Sequence, residues 1–150
     1  MQTMWLSGAE WVAVLRIGLG LWWLESWRHK DKKTWFTGGG IDWAAGVADK
    51  HRWAFVRSGF DVVVKPRPRT MAYVVAYAEL ALGLGLIVGF LTPIALVCGL
   101  ALNLIYLVLM IHDWGEQGQN SMMALISVVA LFGMSWQVWS LDHVFGLFAA

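Results

Sequence analysis

Apolar residues run along the chain in four long blocks, at about 5–27, 70–90, 92–112 and 120–139, with polar or glycine-containing breaks between them. Each block approaches the roughly 20 residues that a helix needs to cross a hydrocarbon layer of about 30 Å, so the pattern predicts four spanning helices. The first block starts at Trp5 or Trp11 and ends at Trp27. Gly89-Phe90-Leu91 separates the second from the third, and Thr92-Pro93 offers an N-cap and a first-turn proline to restart a helix. So short a link makes those two spans an antiparallel hairpin. Asp113 to Gln119 reads as a polar turn, Asn120 or Ser121 as the cap of the fourth span, and Asp142 to Ala150 as an interfacial tail. The expected fold is all-α: a single-domain, integral membrane four-helix bundle over residues 1–150. A β-barrel and most soluble enzymes are excluded.

Between the first two spans lies a long basic connection. Trp35 and Phe36 precede a hinge at Gly38-Gly39-Gly40, and Trp53, Val56 and Phe60 share one helical face by their spacing, which predicts a surface-lying segment over about 41–60. Lys50 and Arg57, seven apart, share a face suited to lipid phosphates or a partner, and Pro66-Arg67-Pro68-Arg69 is a stiff basic lead into the second span. Ordinary anchoring of the loop by its positive charge is the competing account. Gly-Leu-Gly-Leu occurs in both of the first two spans, at 18–21 and 83–86, and is too short to mark a repeat.

Composition agrees with this solvent: 59% of residues are hydrophobic, 14% are charged, and mean hydropathy is +0.60. The eleven tryptophans suit the two membrane interfaces, with Trp5, Trp11, Trp136 and Trp139 expected outside, Trp27, Trp35, Trp43, Trp53 and Trp114 inside, and Trp22 and Trp23 deeper. Net charge is only +1, which points to no nucleic acid. Its distribution says more, because ten of the eleven Lys and Arg residues fall between Arg28 and Arg69 against four acids, a local excess of +6. Positive charge stays inside, so residues 28–69 are expected on the cytoplasmic face of the inner membrane of a multi-pass protein, with both termini outside. The same order of charge makes the first 27 residues an uncleaved anchor. Cys98, the lone cysteine, excludes an internal disulfide and reads as a small buried hydrophobe.

Charge at membrane depth costs at least about 3 kcal/mol on insertion scales, so Arg16 and Glu79 carry the most information. Arg16 lies eleven residues before Trp27 and Glu79 nine after Thr70, which puts both about 15 Å from the inner face and within reach of each other. Ala76, Glu79 and Gly83 share a face, as do Arg16 and Gly20. Gly99, Asn103, Tyr106 and Met110 form a stripe on the third span, and Asn120, Ala124 and Ser127 one on the fourth. The resulting polar seam of Arg16, Glu79, Asn103, Tyr106, Asn120 and Ser127 either locks helix register or binds the polar head of an amphipathic ligand, a quinone or a lipid, with Glu79 available for proton exchange. His29 and His112 end spans on the inner side and are the only metal-ligand candidates; with no histidine in mid-span, a haem or chlorophyll is not expected, nor any covalently bound cofactor. Neither a GxSxG, an HExxH nor a phosphate loop is present.

Five pieces in order carry a family resemblance: Leu15-Arg16-Ile17-Gly18-Leu19-Gly20; Ala78-Glu79-Leu80-Ala81-Leu82-Gly83-Leu84-Gly85-Leu86 leading to Gly89-Phe90-Leu91-Thr92; Leu102-Asn103; Gln119-Asn120-Ser121-Met122; and Ser140-Leu141-Asp142. With the short second loop and the long first connection, they resemble the DoxX family, in particular its DoxD-like branch, whose founding members belong to a thiosulfate:quinone oxidoreductase. The resemblance implies a four-helix membrane protein associated with quinone-linked oxidation, often of sulfur compounds. Two functions are then expected in competition. One is an accessory subunit of a quinone-linked respiratory or photosynthetic electron-transfer complex, with membrane lipids and other subunits, or further copies of itself, as partners. The other is a DoxD-like oxidoreductase subunit binding a quinone head at Arg16, Glu79 and Asn103 and oxidising a compound such as thiosulfate.

Overall fold

Ser7 starts the first helix, α1 (Gly8–His29), by a reciprocal cap: its hydroxyl accepts from the Glu10 N–H and the Glu10 carboxylate accepts from the Ser7 N–H. The connection folds into α2 (Lys32–Phe36), α3 (Gly39–Asp49) and α4 (Ala54–Gly59), which runs into a π-helical turn at Phe60–Val64. Then come α5 (Pro68–Val88), α6 (Thr92–Leu109), α7 (Trp114–Phe132), a 3₁₀ turn at Ser135–Gln137 and α8 (Leu141–Val144). The computed structural model describes residues 6–148, and among them there is no strand. The chain is all-helical, and α5 and α6 are long and apolar enough to cross a membrane. Trp5 lies outside the described residues.

α1 packs chiefly on α5 and α6 on α7, while α1 with α7 and α5 with α6 close the ring. The core between them holds Leu19, Trp23, Leu82, Leu86, Leus on α6 such as Leu96, and Met123. Two glycines set the register of α1 against α5. A methyl group on Gly20 would lie 2.9 Å from Gly83 O and Ile87 N, and one on Gly83 would lie 2.9 Å from Leu24 N, so the backbones touch where neither residue has a side chain. This contact slides α1 about two turns, roughly 12 Å, from the register implied by aligning Trp27 with Thr70. The N-terminal end of α5 consequently projects beyond α1 and is covered by the connection: Trp35 Nε1 donates to Ala72 O at 2.8 Å, and Gly38, at φ 105°, packs on Pro68.

The expected apolar face of Trp53, Val56 and Phe60 exists, but it packs with Ala48 against Leu109 at the end of α6. Lys50 and Arg57 do not share a helix. The buried His51 interrupts it, because its Nε2 pairs with Val108 O at 2.9 Å and its Nδ1 accepts from the Trp53 N–H at 3.1 Å. With Trp53 N–H donating to Nδ1, the proton must sit on Nε2, where it is donated to Val108. Lys50 then closes α3 and Arg57 turns back to donate to His51 O.

Three further boundaries differ from expectation. Asp113 to Gln119 is not a turn: the Asp113 carboxylate accepts from Glu116 N at 3.0 Å and starts α7 at Trp114, which places Asn120 inside the helix rather than at its cap. α7 ends at Phe132, and a left-handed Met134 (φ 49°) turns the chain back. Thr92 does not cap α6. Leu91 occupies the cap position at φ 51°, and the side chain of Asp142 accepts from Leu91 N and Thr92 N, both at 2.7 Å. Asp142 is thereby docked against the start of α6, with its N–H also donating to Gly89 O, while Val144 and Phe145 beyond it are exposed. Cys98 is exposed, because the inward stripe of α6 runs through Leu96, Gly99 and Asn103.

Candidate functional site

The register fixes which polar groups meet. Gly20 faces Gly83, so Arg16, one turn earlier on α1, lies at the level of Gly89, and Glu79, one turn earlier on α5, lies at the level of Ser26 and Lys30. Ten residues of helix, about 15 Å, separate the two levels. Arg16 and Glu79 therefore do not pair, and the single seam divides into two polar clusters at opposite ends of the bundle.

At the Gly89 end, the buried Arg16 guanidinium donates to Ser135 O at 2.7 Å, Val138 O at 3.3 Å and Trp139 O at 2.6 Å. The residues after α7 wrap around this fork, and Asp142 beside them caps α6. Both Arg16 and Ser135 are buried here, and among the described residues Arg16 Nε and the Ser135 hydroxyl have no hydrogen-bond partner. Ser127 is satisfied within its own helix, its hydroxyl donating to Met123 O at 2.8 Å.

At the other end, Glu79 is 1% exposed and is held from two sides. Lys30 Nζ lies 2.5 Å from Oε2, and the Tyr106 hydroxyl donates to Oε1 at 3.0 Å. The ammonium also sits 4.6 Å from the centre of the Trp35 ring, whose face attracts cations. These groups border a cavity of about 430 Å³ that exists because α1 stops short and α3 covers the side of α5. Trp23, Trp35, Trp43 and Tyr106 give it aromatic walls, and Glu116 and Asn120 add polar atoms from α7. Asn120 is tied to α7 through Nδ2, which donates to Glu116 O at 2.8 Å.

Asn103 is fully buried on the same stripe of α6 as Tyr106, yet it does not line this cavity, and among the described residues neither its amide nitrogen nor its oxygen has a partner. The Trp23 Nε1 donor is unpartnered in the same sense and would lie 3.2 Å from a methyl group on Gly99, one turn from Asn103.

The remaining candidates do not assemble. Lys50, Arg67 and Arg69 are exposed, with Arg67 at the cap position of α5. His29 is exposed and 2.9 Å from Glu25, while exposed His112 lies with its ring centre 6.5 Å from that of His51, whose nitrogens are both engaged. Among the described residues no three metal-ligating side chains gather.

Sequence reasoning missed Lys30, Trp35 and Asp142. Lys30 was one of four cations in a short run, Arg28 to Lys33, with nothing local to single it out. Asp142 had a signal, as the one carboxylate side chain in the sequence after Glu116, and Trp35 had its amphipathic ring.

No protein-family model, curated protein or solved structure matches the chain.

Proposed function

We propose that this chain is a multi-pass protein of the inner membrane, akin to the DoxX family, in which α1, α5, α6 and α7 span the bilayer and the cavity beside Glu79 holds the head of a quinone-class ligand. One observation carries the reading: a carboxylate, an ammonium and a phenol converge on a cavity whose other walls are mainly aromatic and aliphatic. Such a site suits a flat, neutral head bearing oxygens, because the rings offer stacking faces and Lys30 offers a donor to a carbonyl, while Glu79 neutralises Lys30 and Glu116 leaves the lining one negative charge in excess, which disfavours an anion. Glu79 supplies the acid–base group beside a head whose oxygens exchange protons when it is reduced. The basic connection then lies on the cytoplasmic face with both termini outside.

Purified protein in mild detergent tests this. Organic extraction recovers bound quinone, and a benzoquinone titration quenches tryptophan fluorescence in the wild type and less so in Tyr106→Trp, whose added bulk fills the cavity. Protein that carries no quinone and shows no saturable quenching overturns the reading.

A second reading, an accessory subunit of a larger quinone-linked assembly, is supported by the outer face of α6, where Ile94, Val97, Leu104 and Ile105 are all exposed and apolar. Lipid or a neighbouring subunit covers such a row. Native gels in mild detergent separate the cases, since an accessory subunit migrates with partners and an independent one alone or with its own copies.

A further inference from the structure

The cavity beside Glu79 does not end at its aromatic walls. Phe60, Val64, Ile105 and Leu109 line both this cavity and a second hollow of about 430 Å³ between α6 and the α4 segment. No polar side chain lines the second hollow; Phe55 and Leu104 form its exposed margin. Its floor is shaped by the π-helical turn, in which Lys65 N donates to Phe60 O at 2.9 Å. That wider turn leaves Phe60 and Val64 half-buried against α6, while Val62 and Val63 point away.

We infer that this groove seats the single apolar chain of the ligand and is the lateral door by which the ligand enters from the bilayer. The inference rests on the reading of the cavity as a quinone-class head site and adds to it the class of ligand: a ring carrying one long hydrocarbon chain. The adjacency of the two hollows supports it, since Phe60, Val64, Ile105 and Leu109 border both, so that a head beside Lys30 and Tyr106 has its substituent directed past Ile105 into a hollow lined by no polar side chain. The open side supports it as well, because Leu104 and Ile105 lie on a helix apolar enough to cross a membrane and face outward. A chain lying there stays in a hydrocarbon-like environment along its length, and each buried methylene adds to affinity.

The test compares two ligands on the full chain in detergent: a methoxy-substituted benzoquinone without a chain, and the same head with a decyl chain. Leu104→Trp fills the groove without touching the head cavity, and Phe55→Ala removes one margin; Val97→Trp is the control on the same exposed face of α6. Wild type is expected to bind the decyl ligand at least about tenfold more tightly than the bare head, and Leu104→Trp to abolish that advantage while leaving bare-head affinity unchanged. Phe55→Ala is expected to reduce the advantage and Val97→Trp to preserve it. An advantage retained in both groove variants, or lost equally in the control, overturns the groove assignment with the head site intact. Failure of wild type to bind the bare head, with normal melting, overturns the head site and the groove assignment with it.

Discussion

Glu79 takes Lys30 as its cation, at 2.5 Å, across 49 residues of sequence and from beyond the end of α1. The pair joins the first connection to the middle of α5, and the Tyr106 hydroxyl on the opposite oxygen of Glu79 brings in α6. Three elements are thus tied at one carboxylate.

Removing one member of this pair should cost more than removing both. Glu79→Leu leaves a lysine that is only 14% exposed without its counter-charge, for a loss of about 1–3 kcal/mol, lower than for a fully buried pair because the Lys30 stem reaches towards solvent. Lys30→Met alone strands the carboxylate and should be worse. The double variant Glu79→Leu/Lys30→Met should melt close to wild type in detergent. Additive losses in this cycle would mean that the two charges do not interact. Arg16→Met gives the complementary check, since it should show no coupling to Glu79→Leu.

Gly20 and Gly18 should respond oppositely to the same change. A methyl group at Gly20 meets backbone at 2.9 Å, and neither helix can yield locally, so Gly20→Ala should lose about 1–3 kcal/mol by forcing α1 and α5 apart. A methyl group at Gly18 meets nothing within 4 Å. Gly18→Ala should therefore be neutral or slightly stabilising, since alanine loses less backbone freedom in a helix. Thermal melting followed by tryptophan fluorescence measures both, and equal melting temperatures would remove the glycine contact as the determinant of register.

That contact explains what sequence could and could not show. The order of the four long helices, the hairpin at Gly89-Phe90-Leu91 and the inward stripe through Gly99 and Asn103 were all legible, because each follows from the spacing of apolar, small and polar residues within one segment. Partners across segments were not. Depth counted from Trp27 and Thr70 assumes that both helices end at one plane, whereas α5 continues past α1 and carries α2 and α3 on its flank. Two turns of slip were enough to exchange Arg16 for Lys30. The same limit hid Asp142, whose two donors, Thr92 N and Leu91 N, lie 50 and 51 residues away.

Asp142 should behave as a cap supplied from outside its helix. Asp142→Ala leaves Leu91 N and Thr92 N without acceptors, and as Thr92 is buried the loss should be about 1–3 kcal/mol. Asp142→Asn keeps one acceptor oxygen and should lose less. Hydrogen exchange localises the effect: protection should fall at the start of α6 and in residues 133–142. Unchanged exchange at Leu91 and Thr92 in Asp142→Ala would show that water caps the helix equally well.

The Lys65 ammonium bridges Asp49 and Asp61, each at 2.5 Å, and these carboxylates raise its pKa above the ordinary lysine value. A raised value in the folded state means that the contribution is complete below the unfolded lysine pKa and is lost as pH rises through the folded one. The tie between α3 and the π-helical turn should therefore be insensitive to pH across neutrality and weaken in strong alkali. All three groups are solvent-accessible, so added salt should weaken it at neutral pH. Hydrogen exchange over residues 60–65 at low and high salt reads this, and a salt effect as large in Lys65→Met would place its origin elsewhere.

The proposed topology makes a prediction from both ends of α5. Trp35 binds this helix at Ala72 and Asp142 binds the backbone beyond its other end, at Leu91, so the basic connection and α8 are separated by nearly the full length of a 21-residue helix, about 30 Å. That distance matches a hydrocarbon core. Lys33, beside Trp35, and Val144, on α8, are both exposed, so a cysteine at either site should fold normally. In a Cys98→Ala background, needed because Cys98 is itself exposed, Val144→Cys should react with a membrane-impermeant maleimide in intact cells. Lys33→Cys should react only after the membrane is opened. The opposite order would invert the protein against its own charge distribution, and equal labelling of both sites in intact cells would mean that α5 does not cross the membrane.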